Sequence, residues 1–178
     1  MDINRNWKVI ESDHIFENKW LSLFQDKIRM DNGKTMDYTW YKAPDVVVVV
    51  PFLDNSTLVM INQFRYPLQK VLLEFPAGHV ENGEDMHDSA KRELEEETGY
   101  TSNEIQYIYS YHPSISKTRQ SVHIFKAKDL IEGKPRHDST EDIRNIERMS
   151  IDKLAELVRE KQIESAGTLI AFFICCYL

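Results

Sequence analysis

Gly78, Glu84, Arg92, Glu93, Glu96, Glu97 and Gly99 stand at fixed intervals in the run GHVENGEDMHDSAKRELEEETGY, which ends at Tyr100. On an α-helix, residues three or four apart share a face. Glu93, Glu96 and Glu97 stand at i, i+3 and i+4, so the spacing predicts that their carboxylates converge on one patch. Like charges so placed repel by roughly a few tenths of a kcal/mol per exposed pair, and a cation removes that cost. Hard divalent cations take carboxylate and carbonyl oxygens, and Mg²⁺ commonly combines one or two carboxylates with substrate phosphates. The chemistry on offer is metal-assisted work on a diphosphate.

The same stretch supplies the element that must hold these groups. A helix is predicted from about Asp85 to Thr98. Met86, Ala90 and Leu94 recur every four residues as an apolar stripe to bury. Gly99 sits where a helix-terminating glycine belongs. Arg92 is expected on a different side of the helix, pairing with Glu84 to brace the preceding loop. A glutamate-rich helix by itself is ordinarily a solvated face. At roughly 5–7% for each residue type, however, the complete spacing is not a chance match in a chain of 178 residues.

The run resembles a Nudix box, G-x5-E-x7-R-E-U-x-E-E-x-G-U with U apolar. Gly78, Glu84, Arg92, Glu93, Leu94, Glu96, Glu97, Gly99 and Tyr100 fill its defined positions, Tyr100 standing where an aliphatic residue is more usual. The resemblance implies a Nudix hydrolase: an α/β fold, built as an α/β/α sandwich with a mixed sheet. It also implies Mg²⁺ or Mn²⁺ as cofactor and a substrate in which a nucleoside diphosphate is linked to another moiety.

Composition agrees. The length fits one compact body, and 42% hydrophobic residues with 11% aromatics are ample for a core. The formal net charge of −7 argues against nucleic acid as a partner. It also means that an anionic diphosphate needs a metal to meet this chain. The start, MDINRNWKVIES, has no basic-then-apolar leader, and the apolar run Leu169–Leu178 is too short to span a bilayer, so a cytoplasmic protein with no membrane partner is expected. Adjacent Cys175 and Cys176 read as small buried hydrophobes of a reducing compartment.

Along the chain, Trp7–Trp40 alternates loosely, with an Asn32-Gly33 hairpin signal; a small antiparallel sheet is expected over residues 1–44, ahead of the main domain at 45–178. Val46–Val50 reads as a strand buried on both faces. Leu58–Phe64 is its expected partner through a turn at Asp54-Asn55-Ser56. Further strands are expected at Leu72–Phe75, Ile105–Tyr111, Ser121–Ala127 and Ile146–Ser150, and helices from about Ile151 to Glu160 and Thr168 to Tyr177.

Outside the box, Gln63-Phe64-Arg65-Tyr66-Pro67, Leu73-Glu74-Phe75-Pro76-Ala77-Gly78, Pro113 and Ile163-Glu164-Ser165-Ala166-Gly167-Thr168 resemble the branch containing ADP-ribose pyrophosphatases and nucleoside diphosphate sugar hydrolases. Pro113 falls a little earlier after the box than that branch's diagnostic proline. The resemblance implies Glu93, Glu96, Glu97 and the main-chain carbonyl of Ala77 as metal ligands, completed by Glu141 from a downstream loop. It places Arg65 and Glu74 in substrate contact, with a surface salt bridge as the plain alternative for Arg65. Glu96, Glu97 and Glu141 are the catalytic candidates. Ser139 stands where some relatives carry a glutamate base, which leaves Glu141, Asp138 or a box glutamate for that task.

The resemblance further implies a homodimer with exchanged N-terminal sheets, in which Trp20, Phe24 and Trp40 serve the interface or stack on a base; core packing is the alternative. Two other functions remain in view: a nucleoside triphosphate or dinucleoside polyphosphate hydrolase, and a non-catalytic nucleotide-binding module. The intact box speaks against the second of these, and the LEFPAG entry with the N-terminal extension speaks against the first.

Overall fold

The computed structural model describes residues 7–136 and 142–178. Two compact units divide them. The first takes residues up to Pro44 together with His112–Ser121, and the second takes Asp45–Tyr111 and Val122–Leu178.

The first unit is an antiparallel meander of β1 (Lys8–Glu17), β2 (Ser22–Arg29) and β3 (Thr35–Lys42). The Asn-Gly hairpin is present, as a three-residue loop. The Gly33 amide donates to the Met30 carbonyl (2.9 Å) and the Met30 amide to the Lys34 carbonyl (2.8 Å). Gly33 takes the left-handed φ of +79°, while Asn32 does not, so the loop is a type I turn closed by a glycine rather than a two-residue turn. Phe24 stacks between His14 and Trp40, with ring centroids 4.8 and 4.7 Å away. The segment His112–Ser121, with Pro113, is tied to this sheet: the Tyr41 amide donates to the Lys117 carbonyl (2.8 Å) and the Tyr38 hydroxyl to that of Ser116.

The second unit runs β4 (Val46–Pro51), β5 (Thr57–Arg65), β6 (Lys70–Glu74), β7 (Ala77–His79), α1 (Met86–Thr98), β8 (Tyr100–Tyr111), β9 (Val122–Glu132), β10 (Ile143–Ser150), α2 (Ile151–Arg159) and α3 (Ala166–Tyr177). Its four-stranded sheet has the order β7-β4-β9-β8, and is mixed because β4 and β9 run parallel. An antiparallel sheet β10-β5-β6 accompanies it. Side chains alternate across a strand, and the valine run shows the result. Val48 and Val50 pack with Met60, Phe75 and Ile124 under Leu154 of α2 and Phe172 of α3. Val47 and Val49 pack with Phe125 under Ala90 and Leu94 of α1. Helices thus cover both faces, which is the expected α/β/α sandwich with a mixed sheet, and the stripe on α1 is the buried one.

One expected pairing is not observed. Leu58–Phe64 does not hydrogen-bond along Val46–Val50. Contact through the backbone comes only past the end of the valine run, with an isolated bridge from Phe52 to Leu58 and the Leu53 amide donating to the Thr57 carbonyl (2.9 Å). β4 instead takes β7 on one side and β9 on the other, and β5 lies between β6 and β10. A turn signal shows that the chain reverses, but not that the reversal keeps both arms in one ladder. Here Asp54 accepts from the Ser56 and Thr57 amides (2.7 and 2.8 Å) and closes the turn while the arms part into separate sheets.

Tyr100 also finds its explanation. Its side chain is buried, and its hydroxyl accepts from Arg148 Nε and Nη2 at 3.0 and 2.6 Å. A tyrosine thus fills an apolar position and has its polar end paired. Burial pushes the thiols of Cys175 and Cys176 up to about 12 and about 11, which keeps them protonated and unreactive. Among the described residues, no helix is long and apolar enough to cross a membrane.

Candidate active site

The box helix α1 is fixed at both ends. Asp85 caps it by accepting from the His87 amide (2.8 Å). Gly99 ends it at φ +74°, its amide donating to the Glu95 carbonyl (2.8 Å). A side chain at position 99 would also strike the backbone of Lys134 and Pro135. The chain returns here a second time, where the Arg136 amide donates to the Glu96 carbonyl (2.9 Å).

Two of the three box glutamates are buried. Glu97 is wholly enclosed, and its Oε2 accepts from the Ala77 amide at 2.7 Å. Glu93 is 4% exposed, and its carboxylate lies against Gly78 so closely that a Cβ there would overlap it. Burying a carboxylate is costly unless partners compensate. For Glu93 the compensation includes Arg92 Nη1 at 2.6 Å. Glu96 is the more exposed member and lies 3.3 Å from the same nitrogen.

Arg92 does more than brace the loop. It grips Glu84 with two bonds of 2.9 Å, Nε to Oε1 and Nη2 to Oε2, and Nη2 also donates to the His79 carbonyl (3.0 Å). It therefore joins the loop before α1 to two of the site glutamates. The i, i+4 spacing of Arg92 and Glu96 carried that signal in the sequence. Hydrogen bonds from Arg92 hold the Glu84 carboxyl down at about 2, and the same bonds raise the guanidinium pKa.

The expected convergence of Glu93, Glu96 and Glu97 is not found in that form. Among the described residues, no three His, Cys, Asp or Glu side chains gather as a metal cage. Glu93 and Glu96 turn toward Arg92, and Glu97 turns inward to the Ala77 amide. The donor set still fits a hard divalent ion. It is all oxygen, and Mg²⁺ takes one or two carboxylates with phosphates rather than an all-protein cage.

Arg65 and Glu74, on neighbouring strands β5 and β6, bind each other (Nε to Oε2, 2.7 Å). Arg65 therefore does form a salt bridge, with its guanidinium still partly exposed. Burial first, and the positive charge of Arg65 second, hold the His79 imidazole below its ordinary value, which sets Arg65 in electrostatic reach of the box entry. Trp20 and Phe24 belong to the first unit. Trp20 is half exposed with the Lys19 ammonium over its ring at 4.3 Å. Asp138, Ser139 and Glu141 lie outside the described residues. Asp142, just after them, is anchored through its carbonyl to the Phe64 amide (2.9 Å), next to Arg65.

The chain is similar to known proteins. The profile described as NUDIX domain matches residues 42–171, and the profile described as nucleoside diphosphate sugar hydrolase N-terminal domain matches residues 7–41. The chain is 33% identical over 166 residues to an ADP-ribose pyrophosphatase of Bacillus subtilis (strain 168), covering 92% of this chain and 89% of that protein. It is similar to the same extent, 33% over 166 residues with 92% and 89% covered, to a methanol dehydrogenase activator of Bacillus methanolicus. A crystal structure of an ADP compounds hydrolase superposes with a TM-score of 0.84 at 20% identity, over 94% of this chain and 91% of that one, a likeness of fold.

Proposed function

The chain belongs to the Nudix family of hydrolases, and on that premise we propose that it cleaves the diphosphate of ADP-ribose or another nucleoside diphosphate sugar. The products are a nucleoside monophosphate and a sugar phosphate. The observation that carries the reading is the seating of Glu93 on Gly78 and Glu97 on the Ala77 amide, at the foot of a fully populated box. The N-terminal match favours the nucleotide-sugar branch over triphosphate hydrolysis.

Members of this family generally need a divalent metal. For this chain we take it to be Mg²⁺ or Mn²⁺, held by Glu93, Glu96, Glu97 and the Ala77 carbonyl with Glu141, where it would take up charge on the diphosphate and acidify bound water. Glu97, closed off from solvent, holds the β7 entry in register through the Ala77 amide. Arg65 presents a planar donor fork suited to a substrate phosphate, and Glu74 orients it. Glu96, the exposed box carboxylate, and Glu141 are the groups to accept the proton of the attacking water. The new bond runs from water oxygen to one phosphorus, and the bridging oxygen leaves with the other.

A cytoplasmic homodimer with exchanged N-terminal sheets completes the proposal. What supports it is the first unit's exposed apolar side chains: Trp7, Ile15, Phe16 and Trp20 are each about half exposed, and a second copy would cover such side chains. Incubation with a nucleotide panel and Mg²⁺, followed by product identification, tests the function. AMP and ribose phosphate from ADP-ribose support it. Pyrophosphate from triphosphates would move it to the second enzyme class, and silence across the panel to a binding module.

A further inference from the structure

Four polar side chains outside the box form a continuous chain on the α1-side face of the mixed sheet. The Tyr107 hydroxyl lies 2.7 Å from Ser110 Oγ, Ser110 Oγ lies 2.8 Å from His123 Nδ1, and His123 Nε2 lies 3.3 Å from Asp45 Oδ2. Tyr107 and Ser110 are on β8, His123 is opposite Ser110 on β9, and Asp45 immediately precedes β4. His123 is only 16% exposed on its side chain, while Tyr107 is 40% exposed.

Donor and acceptor rules fix how this chain runs. A carboxylate only accepts, so neutral His123 carries its proton on Nε2 and donates to Asp45. Its Nδ1 then accepts from Ser110, and Ser110 accepts from Tyr107. When His123 gains a proton, Nδ1 becomes a donor. Ser110 must then donate outward to Tyr107, whose own hydroxyl turns to water. The bonds of Ser110 to His123 and to Tyr107 survive with their direction reversed, while the bond from His123 Nε2 to Asp45 keeps its direction and gains charge assistance.

Asp45 connects the relay to the site. Its main-chain carbonyl accepts from the Val80 amide (2.9 Å). Val80 directly follows β7, the strand that offers Ala77 to Glu97 and Gly78 to Glu93. We propose that the relay is a proton-responsive clasp on the entry to the box helix, with His123 a positioning residue that acts through Asp45 and Val80 on β7. Asp45 faces His123 from the β4 side and Tyr107 from β8. His87 of α1 meets the Phe125 ring edge-on at 4.9 Å, and Tyr107 meets the same ring at 5.7 Å. The clasp bears on the proposed hydrolysis only through β7.

The test uses the full chain and two independent readouts. NMR follows the His123 imidazole signals and the hydrogen-exchange protection of the Val80 amide together across a pH series. In the unaltered protein, Val80 protection changes roughly fivefold as His123 titrates, the scale of one hydrogen bond gaining charge assistance. In His123→Gln, which can still donate to Asp45 but does not titrate, the response is flat. Ser110→Ala weakens it. With a nucleotide sugar, kcat follows the same titration and KM does not. A Val80 amide indifferent to the titration, an equal response in His123→Gln, or a kcat profile that His123→Gln leaves unchanged overturns the clasp. A protein inactive on every nucleotide sugar defeats the proposed function instead, and the Val80 readout still decides the clasp.

Discussion

The carboxylate of Glu93 occupies the space that a side chain at Gly78 would need. The first fixed residue of the box is therefore a glycine because of a residue on the following helix, and not for backbone freedom, since Gly78 has no left-handed φ. Gly78→Ala should displace the Glu93 carboxylate with little cost to the fold. The loss expected is about 10–100-fold in metal affinity or turnover, the usual scale when a ligand's supporting contact is removed. Metal titration and kcat check it, beside a melting curve that moves by only a few degrees. Unaltered kinetics would remove the proposed role of Glu93.

Glu97→Gln keeps an oxygen that can accept from the Ala77 amide, so β7 should stay in place. It removes the negative charge. Turnover is expected to fall by orders of magnitude at saturating Mg²⁺, with secondary structure by circular dichroism unchanged. A full rate under those conditions sinks the metal assignment.

Glu84 gives a stability prediction with a definite sign. Its carboxyl sits at about 2 in the folded chain against an ordinary 4.5, chiefly through hydrogen bonds from Arg92. The folded state thus holds the ionised form more strongly than the unfolded state does. That contribution is complete above about pH 4.5 and is lost as the pH falls toward 2. Melting temperatures across this window should drop less steeply for Glu84→Gln than for the unaltered chain. Parallel curves would mean the pair contributes nothing.

Glu141 and Asp142 are neighbours with different expected weights. Asp142 pairs with Arg144 at an exposed site (2.6 Å), and such pairs contribute about 0–1 kcal/mol. Its tie to Phe64 is through the main chain and survives substitution. Asp142→Asn should therefore leave kcat nearly unchanged, while Glu141→Gln lowers it at least about tenfold, as loss of a proton acceptor does. Equal, mild effects in steady-state assays would make that loop a bystander.

Much of this arrangement was legible beforehand, and the limits have physical causes. Helix periodicity and end signals put α1 within a residue of its observed start at Met86 and at its observed end, Thr98, because capping and the Ala90–Leu94 stripe are local. The valine run declared a doubly buried strand for the same reason. Its partners were not legible: β9 joins β4 from far along the chain, and no local signal distinguishes that ladder from a hairpin with β5. The orientation of Glu93, Glu96 and Glu97 was hidden too. Spacing places residues on a helix face, but the partners that turn each carboxylate, Arg92 and the Ala77 amide, are set by how β7 packs against that face. The attachment of His112–Ser121 to the N-terminal sheet leaves no mark in composition.

The parallel pairing of β4 with β9 also dictates an order of events during synthesis. Val46 must wait for Val122 before its ladder can close. At roughly 5–20 residues per second, a nascent chain carries its five consecutive valines without their final neighbour for a time on the order of seconds. Such a segment, β-branched and uncharged, is the kind that pairs with other chains. Crowded ribosomes or a slowed stretch of translation between the two strands would therefore reduce the yield of this protein before any change in the finished fold could be measured.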